Sequence, residues 1–266
     1  MVNQSKRIVF KVGTSTLTYK TGMTNIRHME ELVKVLSDIH NSGIQVVLVT
    51  SGAIGVGVGK LGLPGKPSDT PGRQAAATVG QCELMFMYDK MFSEYGKKIG
   101  QLLVTKTDLD DPVRRENLIN AFERLFEYNV IPIINENDSV AVDEIVYGDN
   151  DTLSAVIAEF VGADALVIMS DIDGLYTGNP NADKNAEFIP VVDEINDYIL
   201  SIAKGAGTEL GTGGMATKVH AAQIATAAGI DTYVMSSTPL TNIYKLCEGE
   251  RVGTLFCAKN TAAGRE

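Results

Sequence analysis

Short apolar runs alternate along the chain with longer stretches in which apolar residues return at helical spacing. Residues 7–12 (RIVFKV) read as a first strand. In 27–41, Met29, Leu32, Val33, Leu36 and Ile39 recur at three- and four-residue steps, one face of a helix, and Gly43 follows in the C-cap region. The nearly continuous apolar run 44–50 predicts a strand buried on both faces. A glycine-rich turn and a loop holding Pro64, Pro67 and Pro71 then lead to a helical segment over about 73–95. A strand at 99–104 precedes a helix over 112–128, with Pro112 at a first helical position. Further strands are predicted at 130–135, 165–170 and 231–235, and helices at about 151–161 and 215–228. The segment 179–214 is polar and irregular and reads as a mobile lobe, and GTLFCAK (253–259) reads as a last strand. Strands alternating with helices predict right-handed βαβ units. The expected fold is therefore α/β, one domain over 1–266 with a mainly parallel sheet covered on both faces. The apolar positions Met85, Phe86, Met87, Met91 and Phe92 are assigned mostly to its core.

Composition narrows the function classes. At 266 residues, with 44% hydrophobic and 21% charged positions, the chain is long and apolar enough to bury a core. A net charge of −10 argues against a partner gripped through phosphates, such as nucleic acid, and against a polybasic membrane anchor. Cys82, Cys247 and Cys257 form no C-x-x-C pair and read as reduced core thiols. No run of 18 apolar residues and no signal-peptide core is present, so a cytoplasmic protein is expected.

In such a sheet ligands bind at the carboxyl ends of the strands. The loops there read KVGTS (11–15), TSGAIGVGVG (50–59), NEND (135–138), GDND (148–151), DIDGLYT (171–177) and GTGGMATK (211–218). Each alone also fits an ordinary tight turn. Together, glycines opening helices beside two lysines point to more than one anionic group, because helix N-termini present free N–H groups and the positive end of the dipole. Two lookalikes fail. Residues 57–62 spell G-x-G-x-x-G but begin well past the strand, and no acid ends a following strand at the required distance. Gly59-Lys60 imitates a P-loop, but Ile54 stands at the first-glycine position and Leu61 replaces the Mg²⁺-binding hydroxyl residue. His28, His40 and His220 are isolated from any hydrolytic motif.

The set of loops, in this order, resembles the amino acid kinase family over about 8–256, and INEND with GDND resembles its glutamate-phosphorylating branch. The resemblance implies a three-layer αβα sandwich with a mainly parallel central sheet. It further implies ATP-dependent phosphorylation of the γ-carboxylate of L-glutamate, the first step of proline synthesis, with Mg²⁺ accompanying ATP. A kinase for another small acid, such as acetylglutamate or aspartate, and a non-catalytic amino-acid or nucleotide sensor are the alternatives.

By the same resemblance, Lys11 and Lys218 flank the transferred phosphoryl group, Asp151 orients them, and Gly13 holds phosphate oxygens. Ser51, Asp138 and Asn150 contact glutamate. Ser170, Asp171 and the loop Thr212, Gly213, Gly214, Met215, Ala216, Thr217 and Lys218 enclose the nucleotide, and no protein ligand to metal is assigned. As bare residues, Asp138 and Asn150 also fit Asx turns and Asp151 fits a helix N-cap. The family further implies proline as a feedback inhibitor and a homo-oligomer, and the chain is expected to be the kinase domain without the RNA-binding-like PUA domain of many relatives.

Overall fold

A computed structural model describes residues 5–19, 21–140, 150–180, 182–205 and 214–259. In chain order the elements begin with β1 (Arg7–Lys11), α1 (Thr14–Leu17), α2 (Ile26–Asn41), β2 (Gln45–Val49), α3 (Ala53–Leu61) and α4 (Thr70–Glu94). There follow β3 (Lys98–Val104), α5 (Lys106–Asp110), α6 (Pro112–Glu127), β4 (Val130–Glu136) and α7 (Asn150–Phe160). Next are β5 (Ala165–Ser170), β6 (Leu175–Tyr176), β7 (Phe188–Ile189), β8 (Val191–Val192) and α8 (Asp197–Gly205). The last are α9 (Met215–Ala227), β9 (Asp231–Ser236), α10 (Asn242–Cys247) and β10 (Thr254–Phe256).

The chain divides into two compact units, one of residues 12–150 and one of 1–11 with 151–266. In the first, β3, β4 and β2 lie side by side and parallel, with Val104 opposite Glu136 and Leu48 opposite Ile133. In the second the order is β1-β5-β9-β10-β8. There β1, β5 and β9 are parallel, β10 turns antiparallel against β9, and β8 runs parallel to β10. Every residue of β5 (ALVIMS) is buried, as an unbroken apolar run requires when both faces are covered.

Local chemistry sets the helix starts. The Asp69 carboxylate accepts from the Gly72 N–H to open α4, and Asp111 accepts from the N–H groups of Val113 and Arg114 to open α6, each beside a proline.

Three expectations need correction. Residues 53–61 form a helix where composition predicts only a turn. Its glycines each carry a propensity cost of about 1 kcal/mol relative to Ala, but tertiary packing requires them. A Cβ on Gly57 would overlap the Ala76 carbonyl, and one on Gly80 would overlap the Ala53 carbonyl, so α3 and α4 meet backbone to backbone. Gly52, at φ +95° just before α3, supplies the left-handed turn that leads from the strand. In the apparent G-x-G-x-x-G motif, Gly57 thus serves helix packing, Gly59 lies against the Gly22 backbone, and Gly62 caps α3 in the left-handed region at φ +64°.

The segment 179–214 holds the two-residue strands β7 and β8 and the helix α8, with Ile199 and Ala203 buried four residues apart. Strands that short carry too few positions to show alternation. Finally, Phe92 is buried as expected, but Phe86 and Cys82 are exposed and Met85, Met87 and Met91 only half-buried, while α4 also buries Gln81, Leu84 and Tyr88.

Candidate functional site

Two buried polar clusters stand out, one in each unit. In the unit of 1–11 and 151–266, the parallel pairing of β1 with β5 sets Lys11 opposite Ile168 at the strand's carboxyl end. Asp151 is the second residue of α7, and Lys218 lies in the first turns of α9. The Lys11 Nζ is 2.6 Å from Asp151 Oδ1, and the Lys218 Nζ donates to Asp151 Oδ2 at 3.0 Å. Asp151 is fully buried, and both lysines are nearly so. Burial alone would raise the Asp151 carboxyl, but the charges and hydrogen bonds of Lys11 and Lys218 outweigh it and hold the group below the usual carboxylate range. Two lysines thus share one carboxylate, withdrawn from water in a chain whose net charge is −10.

The Thr217 hydroxyl lies 2.8 Å from Asp151 Oδ2 and 2.8 Å from the Gly214 carbonyl. Both are acceptors, so its single proton is shared between the start of α9 and the Asp151 carboxylate. Gly214 brings no side-chain acceptor to the first turn of α9, where Met215 is buried and Ala216 exposed. At the end of β5 the Ser170 hydroxyl donates to Asp171 Oδ1 at 3.1 Å, and Asp171 itself is exposed. Thr212 and Gly213 lie outside the described residues.

The second cluster, within residues 12–150, is built from neutral side chains. The Asn150 Nδ2 sits 2.5 Å from the Thr50 carbonyl, 2.8 Å from Asn135 Oδ1 and 3.0 Å from Ser51 Oγ. Asn135 Oδ1 also accepts from the Glu136 N–H, and Asn135 Nδ2 donates to Gln81 Oε1 at 2.8 Å. Beneath Thr50, its hydroxyl and that of the fully buried Tyr88 are 2.9 Å apart. The Asn150 amide nitrogen is thus already surrounded by acceptors. The Ser51 hydroxyl accepts from it, and no described residue takes the Ser51 proton, which is free to be donated onward.

In the same unit Asp138 follows β4, and burial pushes its carboxyl up, opposed in part by the charge of Lys66. Gly13 precedes α1 in an extended conformation, at φ −87°. Among the described residues no group of three His, Cys, Asp or Glu side chains is disposed to hold a metal.

The structure therefore gathers Lys11, Asp151, Thr217 and Lys218 in one cluster, and Ser51 and Asn150 in the other. Gln81 and the side chains of Asn135, Thr50 and Tyr88 were missed by the sequence reading. A glutamine at 81, in register with Leu84, Tyr88 and Phe92 on the buried face of a helix, was the available signal.

Residues 6–236 match the amino acid kinase family. Among curated relatives, the chain is 55% identical over 253 residues to the Clostridium tetani protein named Glutamate 5-kinase, covering 95% of each chain. It is 49% identical over 262 residues to the protein of that name from Moorella thermoacetica, covering 98% of this chain and 69% of the relative. Of solved structures, Bacillus anthracis UMP kinase aligns with a TM-score of 0.64 at 17% identity, covering 96% of this chain and 97% of that one. The isopentenyl phosphate kinase of T. acidophilum aligns with the same TM-score and identity over 94% of this chain and 99% of its own. At such identity these two speak for the fold alone, an α/β architecture with a mainly parallel sheet and helices on both sides. With the family match spanning most of its length and a relative 55% identical over 95% of both chains, the chain belongs to the amino acid kinase family.

Proposed function

We propose that the chain transfers the γ-phosphoryl group of ATP to the γ-carboxylate of L-glutamate, giving γ-glutamyl phosphate and ADP, the first step of proline synthesis. The observation that carries this reading is the 55% identity, over 95% of both chains, to a protein named Glutamate 5-kinase. The Lys11–Asp151–Lys218 cluster supplies the chemistry it needs.

A glutamate side chain, with an unperturbed pKa of about 4.3, is ionised at neutral pH, so the nucleophile needs no general base. One carboxylate oxygen forms the new bond to the γ-phosphorus as the bond from that phosphorus to the β,γ-bridging oxygen breaks, and the electron pair leaves with ADP. The protein's task is to align two anions and offset charge on the transferring group. In this reading Lys11 and Lys218 supply that charge, Asp151 keeps their ammonium groups in place, and Thr217 ties Asp151 to the start of α9. Gly13, Ser170, Asp171, Thr212, Gly213, Gly214, Met215 and Ala216 hold the nucleotide.

Ser51, Asp138 and Asn150 hold glutamate. Asp138 accepts from the α-ammonium group. The Ser51 hydroxyl, accepting from Asn150, donates to the γ-carboxylate. Mg²⁺ enters bound to the ATP phosphates, since both Asp151 oxygens are already committed to lysines. A cytoplasmic homo-oligomer inhibited by proline completes the reading.

The test is formation of γ-glutamyl hydroxamate from glutamate, ATP, Mg²⁺ and hydroxylamine, with ADP release measured in parallel for glutamate, acetylglutamate, aspartate and UMP. Glutamate-dependent turnover is expected. Preference for another acid would reassign the substrate, and ATP binding without turnover on any of them would make the chain a sensor.

A further inference from the structure

Three side-chain amides in residues 12–150 form a chain whose direction is fixed by the backbone. The Thr50 carbonyl can only accept, so the face of Asn150 beside it is the NH2 group. The Glu136 N–H can only donate, so the Asn135 atom beside it is the oxygen, and that oxygen also receives Asn150. Asn135 must then turn its NH2 group to Gln81, which meets it with Oε1. Each step follows from the last, and no amide in the series can be flipped without setting donor against donor or acceptor against acceptor.

The far end of the chain shows its cost. Gln81 is 8% exposed, and its Nε2 is buried with no hydrogen-bond partner among the described residues. A buried donor left unpaired is unfavourable, whereas an apolar side chain of similar shape would carry no such group. Packing therefore does not account for a glutamine here. What the glutamine uniquely provides is an acceptor for Asn135.

We propose that Gln81 is a positioning residue for the acid substrate: by accepting from Asn135 it fixes the Asn135 oxygen toward Asn150, which in turn donates to Ser51 and leaves the Ser51 proton for the substrate carboxylate. The proposal rests on Ser51 and Asn150 serving glutamate. Without the Gln81 oxygen, Asn135 has a buried NH2 group with no acceptor. Turning to satisfy it takes the acceptor away from Asn150, whose sharing between Asn135 and Ser51 then changes.

Gln81→Met keeps the length and unbranched shape and removes the acceptor. The glutamate KM of that variant is expected to rise about three- to tenfold, with the ATP KM and kcat within twofold of the parent. Gln81→Glu keeps an oxygen toward Asn135 and is expected to retain most of the parental glutamate KM. Asn150→Ala and the double variant Gln81→Met/Asn150→Ala complete a cycle in which the two KM effects are less than additive.

Thermal melts establish that each variant is folded. If Gln81→Met does not fold, the Gln81→Glu result decides alone: a parental glutamate KM supports the relay and a raised one overturns it. A folded Gln81→Met with unchanged glutamate KM, while Asn150→Ala raises it, overturns the relay and leaves the substrate site standing. An unchanged KM in Asn150→Ala overturns both.

Discussion

The buried cluster in the unit of 1–11 and 151–266 is built around charges, those of Lys11, Asp151 and Lys218, whereas the cluster in 12–150 is built from amides and hydroxyls. The difference separates two kinds of work. A charge acts over several ångströms and tolerates small displacements, which suits neutralising a phosphoryl group whose charge spreads as it transfers. An amide acts through direction, since turning it over exchanges donor for acceptor. That suits telling one carboxylate position from another. The costs differ in kind as well. Lys11 and Lys218 share the Asp151 carboxylate, whose charge offsets their mutual repulsion in a buried site, while the amide chain tolerates an unpaired Gln81 Nε2.

Removing the central carboxylate should therefore be the most damaging change in the molecule. Asp151→Ala removes the carboxylate that two buried lysines share, and a loss of about 3–5 kcal/mol is expected in denaturant unfolding. Because the folded-state Asp151 pKa is depressed, its contribution is fully present above the ordinary carboxylate value of 3.8 and is lost as pH falls through the lowered folded value. The gap between parent and variant should thus narrow in strong acid. A loss below about 1 kcal/mol at neutral pH would mean that the lysines relax to water, and the contrast between the clusters would break.

Lys218→Ala comes next. If its charge matters most as the phosphoryl transfers, kcat should fall about 10²–10³-fold, while the glutamate KM moves little. A raised KM with kcat preserved would move Lys218 to ground-state binding.

The loops that carry Lys11 and Lys218 were legible through their glycines and lysines, while the pairing of those lysines with Asp151 came from the family resemblance. The strands were legible too: ALVIMS was placed residue for residue, since a run buried on both faces has no polar interruption to blur its ends. The amide cluster was much harder to read. Asn135 and Asn150 lay in loops already singled out, but Gln81 sits in the middle of a helix, and only the depth of its face distinguishes it from a solvated glutamine. Helix α3 was hidden for the opposite reason. Its glycines suggest a turn by propensity, and only the backbone of α4 lying against Gly57 shows why glycine is required there.

Asp138 crosses the division drawn above, as a charged group among neutral ones, and it gives the most sensitive test. Burial raises its pKa above 3.8, so ionised Asp138 costs the fold stability at neutral pH. By linkage, that cost is relieved as pH falls through the raised value, where the folded state takes up a proton before the unfolded chain does. Asp138→Asn should then make the protein modestly more stable at neutral pH, a gain that shrinks as pH falls toward 3.8. The same change removes the charged acceptor for the α-ammonium group, and the glutamate KM should rise about tenfold or more. In the parent, the glutamate KM should also climb as acid protonates Asp138, beginning at a higher pH than an exposed carboxylate would allow, and the variant should lack that limb. A variant that is less stable at neutral pH, with the acid limb intact, would mean that Asp138 is a turn-forming residue held by local hydrogen bonds. One that is more stable yet poorer at binding glutamate would place the cost of burying this carboxylate in the service of the substrate.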